Sequence, residues 1–398
     1  MKMVFEKNAL EKTLKDVVRI IPSAARTNLH KFVRITADRA QSRVEFVTTS
    51  SDGAIHRNMV DTQVQSPVTI YQSGACLVPA RELLEIVKRA KDLVELSLRQ
   101  NNFDVTVSFS KDTGGKAECD VPGLDPSTFV PYQNDPQETT QMNVTAVNLR
   151  SLLGYTLYAC SESEARPALT GVNFTVKDDG TLVATSTDGL RLAQAHIPGQ
   201  VEGQVRETVT IPKTPLQSMV SILPNDDDEI VHLELGHSVL TATWDDEGTR
   251  FVLRALDATY PNTAQIIPTI TRTNIRVSRA EMLDSCELIA LFSGDVENRK
   301  TRLDFDNGLM RLSIQSSQAG KAFYEVKLLE YSTPDIDPMM FNVRYWLDLL
   351  KVFDTEEIEI GINGQNQPVI IRSSERTAMA LVSPVQFHEP RVNESKSA

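Results

Sequence analysis

The sequence lacks the features of membrane, disulfide-bonded and zinc-binding proteins. No run of apolar residues is long enough to cross a bilayer, and the N-terminus MKMVFEKNALEK carries charges where a signal peptide is apolar. The chain has only four cysteines, which lie far apart and form no CxxC pair: Cys76, Cys119, Cys160 and Cys286. This spacing indicates reduced thiols in a cytoplasmic protein and predicts neither a disulfide framework nor a zinc site.

The short motifs of common enzyme classes are also missing. The sequence has no phosphate loop GxxxxGK[ST], no dinucleotide fingerprint, no HExxH and no GxSxG. Asp188, which precedes Gly189, is conceivable as a catalytic carboxylate, but Asp-Gly after Ser or Thr is more often a turn. The near-copy at Asp52 and Gly53 favours the turn. The sequence therefore predicts no cofactor and no metal, and nothing in it positively supports an enzyme.

Composition is that of a globular protein with an acidic surplus. The chain has 398 residues, of which 41% are hydrophobic and 24% charged, and this length favours two or three domains. The formal net charge is -12, which taken alone argues against a nucleic-acid partner. A net charge does not describe how the charges are distributed. Whether the protein has a nucleic-acid partner therefore depends on the pattern of charges along the chain.

Two landmarks each occur three times along the chain. Segments that lead from a strand into an amphipathic helix recur about 130 residues apart: VPARELLEIVKRA from Val78, IPKTPLQSMVSIL from Ile211 and FNVRYWLDLLKVF from Phe341. Each is followed by a strand of alternating pattern: VELSL, VHLEL and IEIGI. The second landmark is VTTSSDGAI from Val47, VATSTDGLR from Val183 and, more weakly, IQSSQAGKA from Ile314. Copies in the same order predict three similar domains.

The predicted domains comprise residues 1–133, 142–267 and 274–387. The segments between them, PYQNDPQETTQ and PTITRTN, are polar and lack periodicity, as linkers do. The polar residues 388–398 are predicted to be a disordered tail. In the first domain, helical patterns at residues 4–21 and 81–91 enclose short alternating strands. Two helices per domain packed on antiparallel strands predict an α+β fold.

The outward faces of the predicted helices carry basic residues. The first helix places four polar side chains on one face: Asn8, Lys12, Lys15 and Arg19. A basic pair around a carboxylate occurs on two later helices, as Arg81, Glu85 and Lys88 and again as Arg344, Asp348 and Lys351. The acidic runs fall instead at loops and strand ends. This segregation is compatible with DNA contact, although an ordinary solvated face is the alternative.

Two segments carry a resemblance to a known family. RPALTGVNF from Arg166, followed by ATSTDGLRLA from Ala184, resembles the signature of the bacterial DNA sliding clamp, the beta subunit of the replicative DNA polymerase III holoenzyme. VPARELL and the closing LVSPVQF also match the family, and the resemblance extends through Phe387. It implies the DNA clamp fold, a head-to-tail homodimeric ring around duplex DNA, and a processivity factor without catalytic activity.

The resemblance also implies three sets of site residues. Expected DNA contacts are Arg26, Arg81, Arg166 and Lys213, to which the helix faces add Lys12, Lys15, Arg19, Lys88, Arg344 and Lys351. The expected partner pocket, between the second and third domains, consists of Leu169, Thr187, Gly189, Leu190, Arg191, Leu192, Pro261, Ile266, Leu381, Ser383, Pro384, Val385 and Phe387. The expected dimer contacts are Leu291 and Phe292. The implied partners are duplex DNA without sequence preference, a second copy, the polymerase alpha subunit, the clamp loader and other polymerases and repair proteins.

The sequence departs from the family pattern at a few positions. Leu190 stands where a polar or aromatic residue is frequent, Gln386 replaces an arginine, and Lys116 and Glu118 fall where a relative has apolar interface residues. Two alternatives stay open. The protein could be an acidic scaffold that binds only other proteins, and several of the apolar site residues could belong to the domain core: Leu192, Pro261, Ile266, Leu291 and Phe292.

Overall fold

The structure is a computed structural model of the chain. It describes residues 1–22, 28–62, 66–99, 102–111, 114–130, 132, 139–202, 208–245, 248–294, 300–316, 319–331 and 337–385. These residues divide into two compact units. The first contains Met1–Arg150, Phe174–Thr181 and Pro198–Asp257; the second contains Ser151–Asn173, Leu182–Ile197 and the described residues from Ala258 onward.

Six α-helices lie within the described ranges: α1 (Lys7–Val18), α2 (Ala80–Val87), α3 (Ala146–Leu157), α4 (Lys213–Val220), α5 (Arg279–Leu291) and α6 (Val343–Val352). Side chains cap three of their N-termini by accepting hydrogen bonds from backbone N–H groups that have no partner within the helix. Glu6 accepts from the second and third residues of α1, Ser278 from Glu281 of α5, and Asn342 from Arg344 of α6.

The strands, in chain order within the described ranges, are β1 (Lys2–Glu6), β2 (Phe32–Asp38), β3 (Arg43–Ser50), β4 (Gly53–Val60), β5 (Val68–Gln72), β6 (Gly74–Pro79), β7 (Leu93–Leu98), β8 (Val105–Ser110), β9 (Lys116–Val121), β10 (Thr140–Thr145), β11 (Gly171–Val176), β12 (Leu182–Thr187), β13 (Arg191–Ile197), β14 (Gln200–Glu202), β15 (Thr208–Pro212), β16 (Ile230–Leu235), β17 (Val239–Trp244), β18 (Thr249–Arg254), β19 (Thr273–Ser278), β20 (Lys300–Asp306), β21 (Leu309–Ser316), β22 (Gly320–Lys327), β23 (Glu330–Tyr331), β24 (Met339–Asn342), β25 (Glu357–Ile362), β26 (Val369–Ser373) and β27 (Ala378–Val382).

One arrangement of strands and helices occurs three times. A strand runs directly into the first helix of each set, and a second strand–helix pair follows later: β1–α1 and β6–α2, β10–α3 and β15–α4, β19–α5 and β24–α6. The strand before the first helix pairs antiparallel with the strand after the second: β1 with β7, β10 with β16 and β19 with β25. The α+β architecture expected from the sequence is confirmed, whereas the three domain boundaries stay a prediction.

The first unit contains two antiparallel sheets and the packed helix pair α1 and α2. The sheets have the orders β5-β1-β7-β8-β9 and β14-β10-β16-β17-β18-β4-β3-β2-β6. Leu10 and Leu14 of α1 and Leu83 of α2 are fully buried. Phe5 and Phe46 meet edge to face, with ring centroids 5.9 Å apart. These apolar side chains follow the helical and alternating periodicities of their segments, so the sequence pattern fixes which face is buried.

The second unit repeats this construction around α5 and α6. It contains the sheet β22-β21-β20-β24 and the hydrogen-bonded series β12-β13-β27-β26-β25-β19-β23. Trp346 of α6 is buried edge to face against Phe341, with ring centroids 5.9 Å apart. The Arg279 guanidinium of α5 donates to the carbonyls of Leu350 and Thr355, at 3.0 and 2.8 Å. The bond to Leu350 satisfies a carbonyl in the last turn of α6, and the bond to Thr355 satisfies one in the segment that follows the helix.

The predicted helix limits were wrong at both helices of the first domain. The helical pattern of residues 4–21 begins as strand β1, because the Glu6 carboxylate binds the N–H groups of Asn8 and Ala9 and starts the helix after it. The helix predicted at 81–91 ends at Val87, beyond which the N–H of Ala90 bonds to the Val87 carbonyl in a turn.

Two features are absent from the described residues. None of the helices described is both long and apolar enough to cross a membrane. Within the same ranges, no group of three or more His, Cys, Asp or Glu side chains could hold a metal ion.

Candidate functional site

The loop between β12 and β13 is the centre of the predicted partner pocket. The Asp188 carboxylate accepts hydrogen bonds from the N–H groups of Leu190 and Arg191, at 2.8 and 3.0 Å. The Thr187 hydroxyl donates to the Arg191 carbonyl at 2.6 Å and accepts from the Gly189 N–H at 3.0 Å. Asp188 is therefore a turn-forming residue, as its sequence context predicts.

Gly189 is required by this turn for two reasons. Its φ of +94° lies in a region that L side chains rarely adopt. A Cβ at this position would also lie 3.0 Å from a terminal nitrogen of Arg166. Arg166, predicted from the resemblance as a DNA contact, is thus an exposed residue beside a predicted pocket residue.

Apolar side chains form the floor beneath this loop. Leu192 and Leu381 lie on paired positions of β13 and β27, and they pack with Ile370, Ile267 and Met379. Leu192 and Leu381 are buried, and so are the predicted pocket residues Leu169 and Thr187. Among the apolar site residues for which a place in the domain core was the alternative, Leu192 is a core residue.

The rim of the pocket is apolar and exposed. Leu190 is 56% exposed and Ile266 52% exposed, and Pro261 is also exposed. Pro261 and Ile266 are therefore not core residues. The N–H of Ser383 donates to the Leu190 carbonyl at 2.9 Å, which ties the segment after β27 to the loop.

The remaining predicted pocket residues of the C-terminal segment come directly after β27 in the chain. Ser383, Pro384 and Val385 are half-buried, and the Val385 N–H donates to the Met340 carbonyl at 2.7 Å. Phe387 lies outside the described residues. Four separated segments thus converge on one site, which we call the rim-and-floor site: the loop with Arg166 and Leu169, the β12–β13 loop, the segment with Pro261 and Ile266, and residues 381–385.

Arg191 is held at this site by two carboxylates and two aromatic rings. Its Nε donates to Asp188 at 2.9 Å, and a terminal nitrogen donates to Asp348 of α6. Its guanidinium carbon lies 4.8 Å from the ring centroid of Tyr345 and 5.5 Å from that of Tyr158. Burial alone would lower the pKa of Arg191, but the hydrogen bond to Asp348 and the charges of both carboxylates raise it.

Sequence reasoning missed the side chains that surround Arg191. In the sequence, Asp348 stands out only as the acidic member of a basic helix face, and nothing there distinguishes Tyr158, Tyr345 or Tyr260 from other tyrosines. Burial raises the pKa of Tyr260, whose neighbours include Thr187. Two signals in the sequence could have suggested three of these residues. Tyr260 directly precedes Pro261, and Tyr345 and Asp348 follow Arg344 within one helical turn.

In the first unit, the predicted DNA contacts gather near the C-terminal end of α1. Lys12, Lys15 and Arg19 are exposed on one face of α1, and Lys15 pairs with Glu11 at 2.5 Å. The Arg81 guanidinium donates to the Ile21 carbonyl at 2.8 Å. These contacts bring the start of α2 beside the end of α1.

The other predicted DNA contacts of that unit differ in their surroundings. Lys213 is the half-buried first residue of α4, and α4 reaches α1 through a 3.2 Å bond from the Ser218 hydroxyl to the Arg19 carbonyl. Lys88 is exposed and pairs with Glu85 at 2.6 Å, as an ordinary surface pair does. Arg26 lies outside the described residues.

In the second unit, Arg344 and Lys351 are exposed on α6. Lys351 lies 3.8 Å from Glu287 of α5, a loose pair between exposed side chains. Asp348 stands between these two basic residues on the same helix face, so that face is mixed in charge.

The predicted dimer contacts lie at the end of α5. Leu291 is 77% exposed, so it is not a core residue of the unit, and Phe292 is half-buried. Two sheets end in strands that have a hydrogen-bonded neighbour on one side only, β9 in the first unit and β22 in the second. Lys116 and Glu118 are exposed on β9, and Ala117 and Cys119 are half-buried on the opposite face, beside Phe109 and Val107.

The comparisons with known proteins now identify the family. Residues 143–262 match the DNA polymerase III beta subunit, central domain, and residues 264–385 match the DNA polymerase III beta subunit, C-terminal domain. The chain is similar to the beta sliding clamp of Bacillus subtilis, with 28% identity over 98% of this chain and 100% of the relative. The chain belongs to the bacterial beta sliding clamp family.

Other relatives agree in sequence and in fold. The beta sliding clamp of Synechococcus elongatus is 29% identical over 97% of this chain and 100% of its own length. The crystal structure of the Bacillus subtilis sliding clamp matches with a TM-score of 0.88 at 27% identity, over 98% of this chain and 100% of that one. The Pseudomonas aeruginosa beta subunit shares the fold, with a TM-score of 0.87 at 22% identity over 97% and 100% of the two chains.

Membership in this family confirms the main functional prediction. The chain is a processivity factor for DNA polymerase that acts as a sliding clamp, and it is not an enzyme. The turn formed by Asp188 agrees with this conclusion, because its carboxylate is bound to two backbone N–H groups and to Arg191.

Proposed function

We propose that two copies of this chain join head to tail into a ring around duplex DNA and carry partners at the rim-and-floor site. The ring makes no base-specific contacts, because a protein that slides cannot depend on sequence. Its partners are the polymerase alpha subunit, the clamp loader, and other polymerases and repair proteins with a short apolar segment. The place of action is the cytoplasm, on the nucleoid.

The exposed apolar rim is the observation that carries the partner site. Large apolar side chains at 56% and 52% exposure, Leu190 and Ile266, lie above a buried floor of Leu192 and Leu381. Such a combination suits a short segment with one or two apolar anchors, since a few buried side chains supply most of the affinity of such contacts. The exposed guanidinium of Arg166 at Gly189 adds a cation at the edge of the site.

The basic helix faces support contact with DNA phosphates. Lys12, Arg19 and Arg344 are exposed, and no salt bridge of their side chains occurs within the described ranges. Within those ranges none of the three has a salt bridge to break before it binds a phosphate, although Lys12 and Arg19 interact electrostatically with Asp16. A few such contacts give weak, salt-sensitive attraction, which leaves the protein free to move along the duplex.

The exposed end of α5 supports a dimer between the first predicted domain of one copy and the third of another. Leu291 is a large apolar group at a helix end, and β9 and β22 offer unpaired strand edges. Such edges are normally covered, because their free N–H and C=O groups otherwise invite uncontrolled pairing.

Removing the C-terminal strip tests the partner site. A variant lacking residues 383–398 keeps buried Leu381 and Val382, so we expect it to fold, but it loses the wall tied to Leu190. We expect its affinity for a labelled peptide that carries the clamp-binding segment of the polymerase alpha subunit to fall about tenfold or more, as measured by fluorescence anisotropy. The matched control lacks only residues 388–398 and should bind as the full chain does. Full affinity in the folded shorter variant would eliminate this site.

A further inference from the structure

Among the described residues, Asp348 is the helical carboxylate that binds Arg191 of the rim-and-floor site. It lies on α6, and it accepts a hydrogen bond from Arg191, whose side chain is only 13% exposed. The second carboxylate on Arg191 comes from Asp188, three residues earlier in the same loop. Asp348 therefore ties this loop to helix α6, in addition to the backbone bond from Ser383 to Leu190.

We propose that Asp348 is a positioning residue of the partner site, which holds Arg191 and thereby the exposed Leu190 in the arrangement that an apolar partner segment binds. This role rests on the proposed function of the site. In this role Asp348 does not contact the partner segment and acts only through Arg191. Tyr345, one helix turn earlier on α6, places its ring against the same guanidinium and so adds a second contact from α6 to Arg191.

The geometry explains why Asp188 alone does not suffice. Asp188 already accepts two backbone hydrogen bonds from its own turn in addition to the one from Arg191. All of these bonds are internal to the loop, so its restraint from outside comes from the Ser383 bond to Leu190, the pairing of Arg191 with Val382, and the contacts of the Arg191 side chain with α6. Asp348 and Tyr345 belong to a helix whose Trp346, Leu347 and Leu349 are buried. An anchor on a packed helix restrains a loop better than one within the loop.

The contacts of Arg191 with α6 reduce the conformational entropy that the loop loses when a partner segment binds. Leu190 directly precedes Arg191, and its carbonyl accepts from Ser383, so the guanidinium contacts and the C-terminal strip restrain the same short stretch. If Arg191 loses its helix partner, this stretch gains freedom that a binding segment must remove again. Preorganisation of this kind raises affinity without any new contact to the ligand.

The same ion pair also affects which partner groups the site accepts. Arg191 has its charge balanced by two carboxylates, so an acidic group of a partner gains little by approaching it. Arg166, exposed at Gly189, is the cation left for such a group. Removing the charge of Asp348 would release Arg191 toward acidic ligands and shift this preference.

The decisive experiment compares Asp348→Asn with Asp348→Glu and a matched control. Asn keeps the size of the side chain and removes its charge, whereas Glu keeps the charge and tests rescue. The control is Glu287→Gln, which removes one carboxylate from α5 that lies near Lys351 and does not contact Arg191. Each variant is titrated with the labelled alpha-subunit peptide by anisotropy, and its thermal unfolding is recorded.

We expect Asp348→Asn to bind the peptide about fivefold more weakly, within the range of couplings between neighbouring groups. Asp348→Glu should recover most of the affinity, and Glu287→Gln should stay within about twofold of the parent chain. In an Arg191→Ala background, Asp348→Asn should cause no further loss, since Asp348 acts only through Arg191.

Three results would overturn the proposal. Unchanged affinity in folded Asp348→Asn would remove the positioning role while leaving the partner site intact. An equal loss in the presence and absence of Arg191 would show that Asp348 does not act through that residue. Failure of the parent chain itself to bind the peptide would overturn the partner site, and the role of Asp348 with it.

Discussion

At the scale of single residues, Leu190 is the most exposed large apolar side chain among the described residues of the proposed partner site. It follows a glycine with positive φ, its carbonyl accepts a hydrogen bond from Ser383, and its side chain is 56% exposed above a buried floor. The side chains of Thr187 and Asp188 accept hydrogen bonds from the backbone N–H groups of Gly189, Leu190 and Arg191. Its conformation therefore does not depend on the leucine side chain, and an exchange there tests binding without disturbing the turn.

We expect Leu190→Ser to weaken peptide binding by about 1–2 kcal/mol, the free energy of burying a leucine on binding, with a change in stability below about 0.5 kcal/mol. The matched control is Ile230→Ser, another exposed apolar residue at 43% exposure, which lies on β16 in the first unit. Titration calorimetry and thermal unfolding measure the two quantities. Equal affinity of both variants would contradict the assigned role of Leu190.

Arg166 illustrates what residue patterns alone cannot give. The Arg-Pro pair and the Thr-Asp-Gly turn are both visible in the sequence, but only the fold brings the guanidinium to within contact of Gly189. The ion pair of Arg191 with Asp348 is a second case, since the two residues are 157 positions apart. Contacts between distant segments depend on how strands pair, which periodicity does not specify.

At the scale of elements, periodicity predicted the strand-to-helix segments well. Each repeated segment is a strand that ends where a helix begins: Pro79 before α2, Pro212 before α4 and Asn342 before α6. Helix limits were less predictable, because the capping carboxylate of Glu6 lies inside the apolar pattern. Burial of Leu192 and Leu381 could not be predicted either. An apolar side chain suits a binding groove as well as a core, so residue type does not distinguish the two. The pairing of β13 with β27 places both leucines in the buried floor.

Helix α1 provides the clearest element-scale test of DNA contact. Hydrogen bonds from Lys15 and Lys7 lower the pKa of Glu11 to about 2, so this carboxylate stays ionised and neutralises part of the helix face. Lys12 is exposed on the same helix, and no ion pair to it is seen in the described ranges. The contribution of α1 to phosphate binding should therefore come from Lys12 more than from Lys15.

We expect Lys12→Glu to weaken binding to a short duplex at low salt equally for all sequences, and to reduce the slope of log affinity against log salt by about 1. Lys177→Glu, which reverses an exposed lysine at the end of β11, is the control and should leave both quantities unchanged. Fluorescence anisotropy over a salt series provides the measurement. An unchanged slope in Lys12→Glu would place the DNA face elsewhere.

At the scale of the whole molecule, the net charge of -12 is compatible with a DNA clamp. A protein that held DNA by ion pairs alone would need many lysines and arginines, and would lose mobility. A ring holds the duplex by its closed shape, so weak contacts from a few basic helix faces suffice. Closure in turn requires a subunit contact, and the exposed Leu291 gives it a testable position.

We expect the chain to sediment as a dimer at micromolar concentration and Leu291→Asp to shift it toward monomer, because a carboxylate would be buried without a partner in the interface. Leu190→Ser, which alters an exposed leucine outside this region, should remain dimeric. A parent chain that sediments as a monomer would contradict the head-to-tail assembly.

Retention on circular DNA tests the central claim most directly. The protein is loaded by its clamp loader and ATP onto a nicked circular duplex, and the DNA is then isolated by gel filtration before and after a restriction enzyme linearises it. A clamp that encircles DNA should remain on the circle at salt concentrations that abolish phosphate contacts, and it should leave once free ends exist. Loss from the circle at the same rate as from linear DNA would contradict the account.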